Sequence, residues 1–115
     1  MALKFKSGVR VGRGPAPQLL LALMVANEVY AEHGANCVIT SLDDGQHRAT
    51  SDHYQGRAAD LRVKNLSEGQ AGEIYDELYY RLTDSLGPEY LVLFESRGEP
   101  QAHIHLAYRG MSANR

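Results

Sequence analysis

Residues 90–95 read Tyr-Leu-Val-Leu-Phe-Glu, and residues 102–108 read Ala-His-Ile-His-Leu-Ala-Tyr. Both stretches have the length and the aliphatic and aromatic content of β-strands. The residues between them include Arg97, Gly98, Glu99 and Pro100, which are typical of a loop. This stretch therefore predicts a hairpin or meander at the C-terminal end and, with it, an antiparallel sheet.

Alternation along two predicted strands places polar side chains on one face. His103 and His105 are two residues apart, so they share a face, and we expect their Cα atoms to lie about 6.5–7 Å apart. In residues 58–63, Asp60 points away from the face that carries Leu61. Both strands are thus predicted to have an apolar face toward the core and a polar face opposite to it.

The remaining chain predicts two helices and further strands. Proline is tolerated in the first turn of a helix, Gly34 is suited to end one, and Ser67 with Gln70 has the spacing of a capping box. The sequence therefore predicts one α+β domain, residues 1–115, with a small antiparallel sheet flanked by two main helices. The predicted elements, in order, are a strand at 7–11, a helix from about 15–17 to 33–34, strands at 36–41 and 58–63, a helix from 67 to 87, and strands at 90–95 and 102–108.

Composition excludes several classes of protein. The chain has 115 residues, 43% of them hydrophobic and 23% charged, as in ordinary globular domains. Its net charge is −2 and its 12 basic residues are scattered, so nucleic acid is not expected as a partner. The single cysteine, Cys37, lies in an apolar run and is expected to be a small buried hydrophobe.

The N-terminal half also bears on location. The longest apolar stretch, Leu19–Ala26, is far shorter than the roughly 20 residues that span a bilayer. No signal peptide is recognised at the N-terminus, so the protein is expected to be cytoplasmic when it is made. If its substrate lies outside the cytoplasm, another factor would have to release the protein.

The polar residues suggest a metal site. His53 and Asp60 have six residues between them, and His103 and His105 follow on a later strand. Zinc binds imidazole nitrogen and carboxylate oxygen, and a catalytic zinc site typically uses three protein ligands. His53, Asp60 and one histidine of the later pair would supply such a set.

These residues resemble a known family. Residues 51–60 match the pattern Ser-x-His-x-x-Gly-x-Ala-x-Asp, which resembles the first metal motif of the D-Ala-D-Ala carboxypeptidase and L-Ala-D-Glu endopeptidase family of zinc peptidases. His103-Ile104-His105 resembles the second motif of the wider superfamily, which includes lysostaphin-type enzymes. The order of helices and strands also resembles that family, which contains cell-wall enzymes and phage endolysins.

The resemblance implies a role for each residue. His53, Asp60 and His105 would be the zinc ligands, and His103 would be a nearby histidine that takes a proton or stabilises the tetrahedral intermediate. Ser51 matches a position that contacts substrate.

The chain departs from the family pattern at the proton carrier. Many D-Ala-D-Ala peptidases have an acidic residue three positions before the last histidine ligand, where this chain has Ala102. Glu95 could occupy the same space if the following loop folds back, and Glu99 is a weaker candidate. The family commonly uses an arginine to bind substrate, and Arg48 is the nearest by sequence.

The implied function is zinc-dependent hydrolysis of an amide bond in peptidoglycan peptides. The absence of a recognised signal peptide suits a phage or prophage lytic enzyme released with the help of a holin, or a part of a virion, although a host cytoplasmic dipeptidase is also possible. One alternative is a non-catalytic domain in which His103 joins the other three ligands and closes the zinc site. Another is an interaction module without a metal.

Overall fold

The computed structural model describes residues 2–9, 16–42 and 57–109, and within them it has an α+β fold with one five-stranded sheet and two α-helices. The α+β class predicted from the sequence is confirmed. The strands are β1 (Leu3–Phe5), β2 (Cys37–Ser41), β3 (Ala58–Arg62), β4 (Tyr90–Glu95) and β5 (His103–Tyr108), and the helices are α1 (Pro17–Glu32) and α2 (Glu68–Leu78).

The sheet is mixed, which corrects the prediction of an antiparallel sheet. Its strand order is β1-β2-β3-β5-β4, and the pairs β2–β3, β3–β5 and β4–β5 are antiparallel. However, β1 pairs with β2 in parallel, with Leu3 opposite Cys37. The reason lies in the connection: α1 separates the two strands, and a helical crossover returns the chain to the same end of the sheet before the next strand begins.

The first strand also lies earlier than predicted. The sequence predicted a strand at 7–11, whereas β1 covers Leu3–Phe5, and Ser7 and Gly8 form a turn. Gly8 has a φ of +88°, a backbone conformation that interrupts a strand and favours glycine. Residues 10 and 11 of the predicted strand lie outside the described residues.

Helix α1 begins and ends where the sequence indicates. Pro17 occupies the first helical turn, where its missing N–H costs nothing, and Gly34 has a φ of +73° just beyond the helix. The Gly34 and Ala35 amides donate to carbonyls of the last turn, at Ala31 and Tyr30. Among the described residues, neither α1 nor any other helix is long and apolar enough to cross a membrane.

Helix α2 begins at the predicted capping box. The Gln70 amide donates to Ser67 Oγ at 3.1 Å, and the Ser67 amide donates to Gln70 Oε1 at 3.2 Å. This reciprocal pair satisfies two amides that the first turn of a helix leaves without partners. The helix then continues as a π-helical segment, Tyr79–Asp84, and the chain turns at 85–89 into β4.

The two helices contact each other and pack on one face of the sheet. Helix α1 lies against β2 and β5, while α2 lies against β4. The sheet residues on this face are buried together with the inner sides of the helices. The opposite face carries the polar side chains of β3 and β5. Sheet residues of the core include Cys37, Ile39, Ala59, Leu61, Val92, Ile104 and Leu106.

Candidate metal centre

The register between β3 and β5 brings Asp60 and His105 together. The two residues are direct partners in this antiparallel pair, and both side chains point to the face opposite the helices. His105 Nδ1 lies 2.8 Å from Asp60 Oδ1. The side chains are 14% and 18% exposed, so this contact is partly shielded from bulk water.

The register between β4 and β5 brings Glu95 next to His103. The two residues are partners at the start of β5, and His103 Nε2 lies 2.9 Å from Glu95 Oε1. The other ring nitrogen, Nδ1, lies 3.0 Å from the Gln101 carbonyl oxygen. Because a carboxylate and a carbonyl can only accept, both nitrogens of His103 are placed to donate, which favours the imidazolium form.

The surroundings of His103 act on its pKa in opposite directions. Burial lowers the pKa, but the hydrogen bond to the Gln101 carbonyl and the charges of Asp60 and Glu95 outweigh burial and raise it above its usual value. His103 is therefore protonated more readily than an ordinary histidine, and both of its ring nitrogens are placed to donate.

The two pairs form one cluster. His103 Nε2 lies 3.7 Å from Asp60 Oδ1, which links the Glu95–His103 pair to the Asp60–His105 pair. Asp60, Glu95 and His105 each offer one ligand atom, and these three atoms lie within 4.8 Å of one another. Three side chains, one from each of three strands, thus lie close together on one face of the sheet.

The donor set of this cluster fits zinc. Imidazole nitrogen and carboxylate oxygen are ordinary zinc ligands at about 2.0–2.2 Å, so two ligands of a tetrahedral ion lie about 3.3 Å apart. The 2.8 Å between His105 Nδ1 and Asp60 Oδ1 would need to open by only about half an ångström. The pair therefore has the chemistry and nearly the spacing that the ion requires.

Three residues of the predicted site lie outside the described residues. They are Arg48 and Ser51, which were predicted to contact substrate, and His53, which was predicted to be the first zinc ligand. Their roles stay predictions. The remaining predicted residues, Asp60 and His105 as ligands and His103 and Glu95 as proton carriers, are brought together by the sheet.

The structure separates the two glutamates considered as proton carriers. Glu95 reaches the cluster from the end of β4, because the following loop reverses the chain into β5, as its role as proton carrier requires. Glu99 is exposed and accepts a hydrogen bond from Gln101 Nε2 at 2.7 Å within the loop. Ala102, at the position where many family members are acidic, precedes β5 and brings no carboxylate.

Sequence reasoning did not assign a role to Arg62. This residue shares its face of β3 with Asp60 and pairs with His103 in the sheet, so alternation along the strand was the signal that could have identified it. Tyr30 donates a hydrogen bond through its hydroxyl to the Arg62 carbonyl at 2.8 Å. The Arg62 Nε atom is buried and has no hydrogen-bond partner among the described residues.

Comparison with protein-family models, with curated proteins and with solved structures finds no match for this chain.

Proposed function

We propose that the protein is a zinc metallopeptidase that hydrolyses an amide bond in peptidoglycan peptides, of the D-Ala-D-Ala or L-Ala-D-Glu type. The observation that carries the proposal is the contact of His105 Nδ1 with Asp60 Oδ1 on neighbouring strands, beside the Glu95–His103 pair. The substrate class comes from the motifs at 51–60 and 103–105, which resemble those of cell-wall peptidases of phages and bacteria. The proposed fold type, a zinc peptidase domain, comes from the same resemblance.

The proposed ligands are His53, Asp60 and His105. A zinc ion held by them would supply Lewis acidity, which polarises a scissile carbonyl and makes a water molecule more acidic. Asp60 and His105 approach from two paired strands, so their relative position is fixed by sheet hydrogen bonds instead of by a loop. A ligand pair held in this way is well oriented before the ion arrives.

The proposed proton carrier is Glu95. A carboxylate can accept a proton from the attacking water and return it to the amine that leaves when the C–N bond breaks. Glu95 Oε1 is held by the hydrogen bond from His103 Nε2, which fixes the carboxylate near Asp60 and His105. His103, with both nitrogens donating, acts in this proposal by positioning Glu95 and by contributing positive charge.

The contacts of His103 support an open catalytic site over a closed structural one. A fourth protein ligand would have to offer a nitrogen lone pair, but Nδ1 faces the Gln101 carbonyl and Nε2 faces Glu95. A ligand role for His103 would break one of these hydrogen bonds, whereas in the His105–Asp60 contact both partners would become ligands of the same ion. The alternative, a non-catalytic domain in which His103 is a fourth zinc ligand, requires one of the hydrogen bonds of His103 to break.

Hydrolysis is tested by incubating purified peptidoglycan with the wild type and with His105→Ala, followed by mass spectrometry of the released fragments. We expect peptide fragments from the wild type and none from His105→Ala. His33→Ala is the matched control, because His33 lies outside the cluster and pairs only loosely with Glu73 at 3.8 Å. Equal release by the wild type and His105→Ala would refute the catalytic assignment.

A second variant separates the two roles that Glu95 could have. Glu95→Gln keeps the size of the side chain but removes its ability to take a proton. If Glu95 is the proton carrier, this variant keeps its zinc and loses at least about 100-fold in hydrolysis rate. A parallel loss of zinc and activity would instead identify Glu95 as a ligand, and unchanged activity would exclude both roles.

A further inference from the structure

The outer side of helix α1 is apolar although it faces away from the core. Residues 17–27 contain no charged side chain. Leu20, Leu21 and Met24 are 47%, 44% and 67% exposed, while Leu19 and Leu23 on the inner side are buried. A helix that is apolar on all sides is usually buried on all sides. The outer side of α1 is therefore suited to a partner instead of to water.

Four exposed residues form one stripe along α1, which we call the outer stripe: Pro17, Leu21, Met24 and Glu28. They are separated by four, three and four positions, the spacing that places the a and d residues of a coiled coil on one side of a helix. Leu20 borders the stripe. The outer stripe is apolar over its first three residues and acidic at its fourth, so its two ends differ in charge.

The N-terminal end of α1 lacks negative charge. The N-cap residue is Ala16, whose side chain accepts no hydrogen bond, and the first turn has no acidic residue. The free amides at the start of a helix carry partial positive charge, which a nearby carboxylate stabilises. The apolar end of the outer stripe thus lies at a partly positive helix terminus, and the acidic residue Glu28 lies about three turns away.

The other end of α1 is negative in spite of its ion pairs. Arg81 contacts Glu28, Glu32 and Glu77, so one positive charge faces three negative ones. Glu28 is 69% exposed and accessible to a second positive group. The charges of the two ends of α1 are therefore complementary to each other. An anionic membrane surface would instead repel the acidic end.

We propose that α1 pairs in antiparallel orientation with α1 of a second copy of this chain. With the two-fold axis between residues 22 and 23, Leu21 of each copy faces Met24 of the other, and Glu28 lies beside the partner's Pro17. Apolar residues then cover apolar residues, and each Glu28 carboxylate lies near the positive end of the other helix. A parallel pairing would instead place the two Glu28 side chains together, where like charges repel.

The proposed interface is small. The outer side of α2 carries the exposed residues Glu73 and Asp76, which would repel their counterparts, so the contact is confined to α1. Interfaces that bury less than about 1,200 Å² form weak complexes, and we expect a dissociation constant on the order of 0.1–1 mM. The pairing does not rest on the proposed function, because Asp60 and His105 lie on the opposite face of the sheet.

Self-association is tested by sedimentation equilibrium of the full 115-residue chain between about 20 μM and about 2 mM. We expect a concentration-dependent dimer in the wild type. Leu21→Gln/Met24→Gln should weaken the dimer at least about tenfold, because it replaces the apolar contact. Glu28→Gln should weaken it about two- to fivefold, because it removes the charge beside the other helix. Glu28→Gln also covers the case in which the double variant does not fold.

Two controls match these variants. Leu93→Gln replaces an exposed leucine that pairs with His105 and so lies on the other face of the sheet. Glu77→Gln removes a different carboxylate from Arg81 and lies on α2. Neither control should change association by more than about twofold. A wild type that stays monomeric at about 2 mM, or association that the outer-stripe variants weaken no more than the controls do, would overturn the proposal.

The orientation is tested by placing a nitroxide label at Gln18→Cys and mixing this protein with ¹⁵N-labelled wild type that carries no nitroxide. Cys37 is buried, so the reagent labels the introduced position. Antiparallel pairing should broaden the wild-type amide signals most at residues 26–28, and strongest broadening at residues 17–19 would overturn it. Phosphatidylcholine vesicles test the other occupant. Vesicle binding by a wild type that does not dimerise would identify lipid as the partner of α1 and overturn the proposal.

Discussion

The two faces of strands β3 and β5 differ in almost every property although their residues alternate along the same backbone. On one face, Leu61 and Leu106 are fully buried against the helices. On the other face, Asp60 and His105 form a polar contact that is partly exposed. The comparison shows that alternation along one strand can place core residues on one face and candidate site residues on the other. Substitutions of neighbouring residues should therefore affect either stability or the site.

The largest effect on stability is expected at Leu106. Leu106→Ala removes a fully buried side chain from the core and should lower the free energy of unfolding by about 2–5 kcal/mol. Urea unfolding followed by far-UV circular dichroism measures this change. The neighbouring variant His105→Ala, measured with a chelator present to remove the contribution of bound metal, should lose much less. Equal losses would mean that the polar face stabilises the fold as strongly as the core face does.

A smaller effect is expected at the start of α2, which lies on the core face. Ser67→Ala removes the side-chain acceptor for the Gln70 amide and should lower the free energy of unfolding by about 1 kcal/mol. Ser85→Ala, an exposed serine beyond the π-helical segment, is the matched control and should change stability by less than about 0.5 kcal/mol. If both variants lost the same free energy of unfolding, the missing helix cap would not be the cause.

The next effect concerns Arg81 in the π-helical segment, which forms ion pairs with α1. These pairs lie outside both faces of the sheet. Arg81 contacts Glu28, Glu32 and Glu77 at 2.7–2.8 Å, and these carboxylates are 40–69% exposed. Since solvent screens exposed pairs, Arg81→Gln should cost only about 0.5–1 kcal/mol, and less in high salt. Unfolding curves at low and high salt measure this. A loss above 2 kcal/mol that is independent of salt would contradict the screening argument.

The smallest effect at neutral pH is expected at Cys37, which lies on the core face of β2. Burial raises the pKa of its thiol to about 12. The folded protein should therefore react very slowly with a thiol reagent such as DTNB at pH 8, and the unfolded protein should react at once. Rapid reaction of the folded protein would show that this part of the core is open.

The raised pKa of Cys37 also determines how the free energy of unfolding changes with pH. Below about pH 8.5 the thiol is protonated in both states, so Cys37 makes no difference. Above that pH the unfolded chain loses the proton while the folded chain keeps it up to about pH 12, so the free energy of unfolding falls as pH rises. Cys37→Ala should reduce this fall, and an equally steep fall in the variant would assign it to other groups.

Much of the fold could be predicted because its signals are local. The capping box at Ser67, the helix end at Gly34 and the alternation in β3 and β5 each depend on a few adjacent residues. The parallel pairing of β1 with β2 could not be read in this way. It depends on the meeting of Leu3 with Cys37, which are far apart in the sequence, and on the crossover through α1.

The candidate site shows the same division. Alternation predicted that His103 and His105 share a face and that Asp60 faces away from the core. The contact of Glu95 with His103 needed the register of the β4–β5 hairpin, which the sequence of the loop does not specify. Lys6, Arg62 and Lys64 line one cleft beside Asp60 but come from three separate segments of the chain. No local sequence pattern predicts that they meet.

The central proposal is that Asp60 and His105 are ligands of a zinc ion on the polar face of the sheet. It is tested most directly by the zinc content of the purified chain after zinc is added back and excess is removed. We predict about one zinc ion per chain for the wild type and for His33→Ala, and almost none for Asp60→Ala and His105→Ala. Zinc well below one per wild-type chain, or an unchanged zinc content in His105→Ala, would contradict the claim.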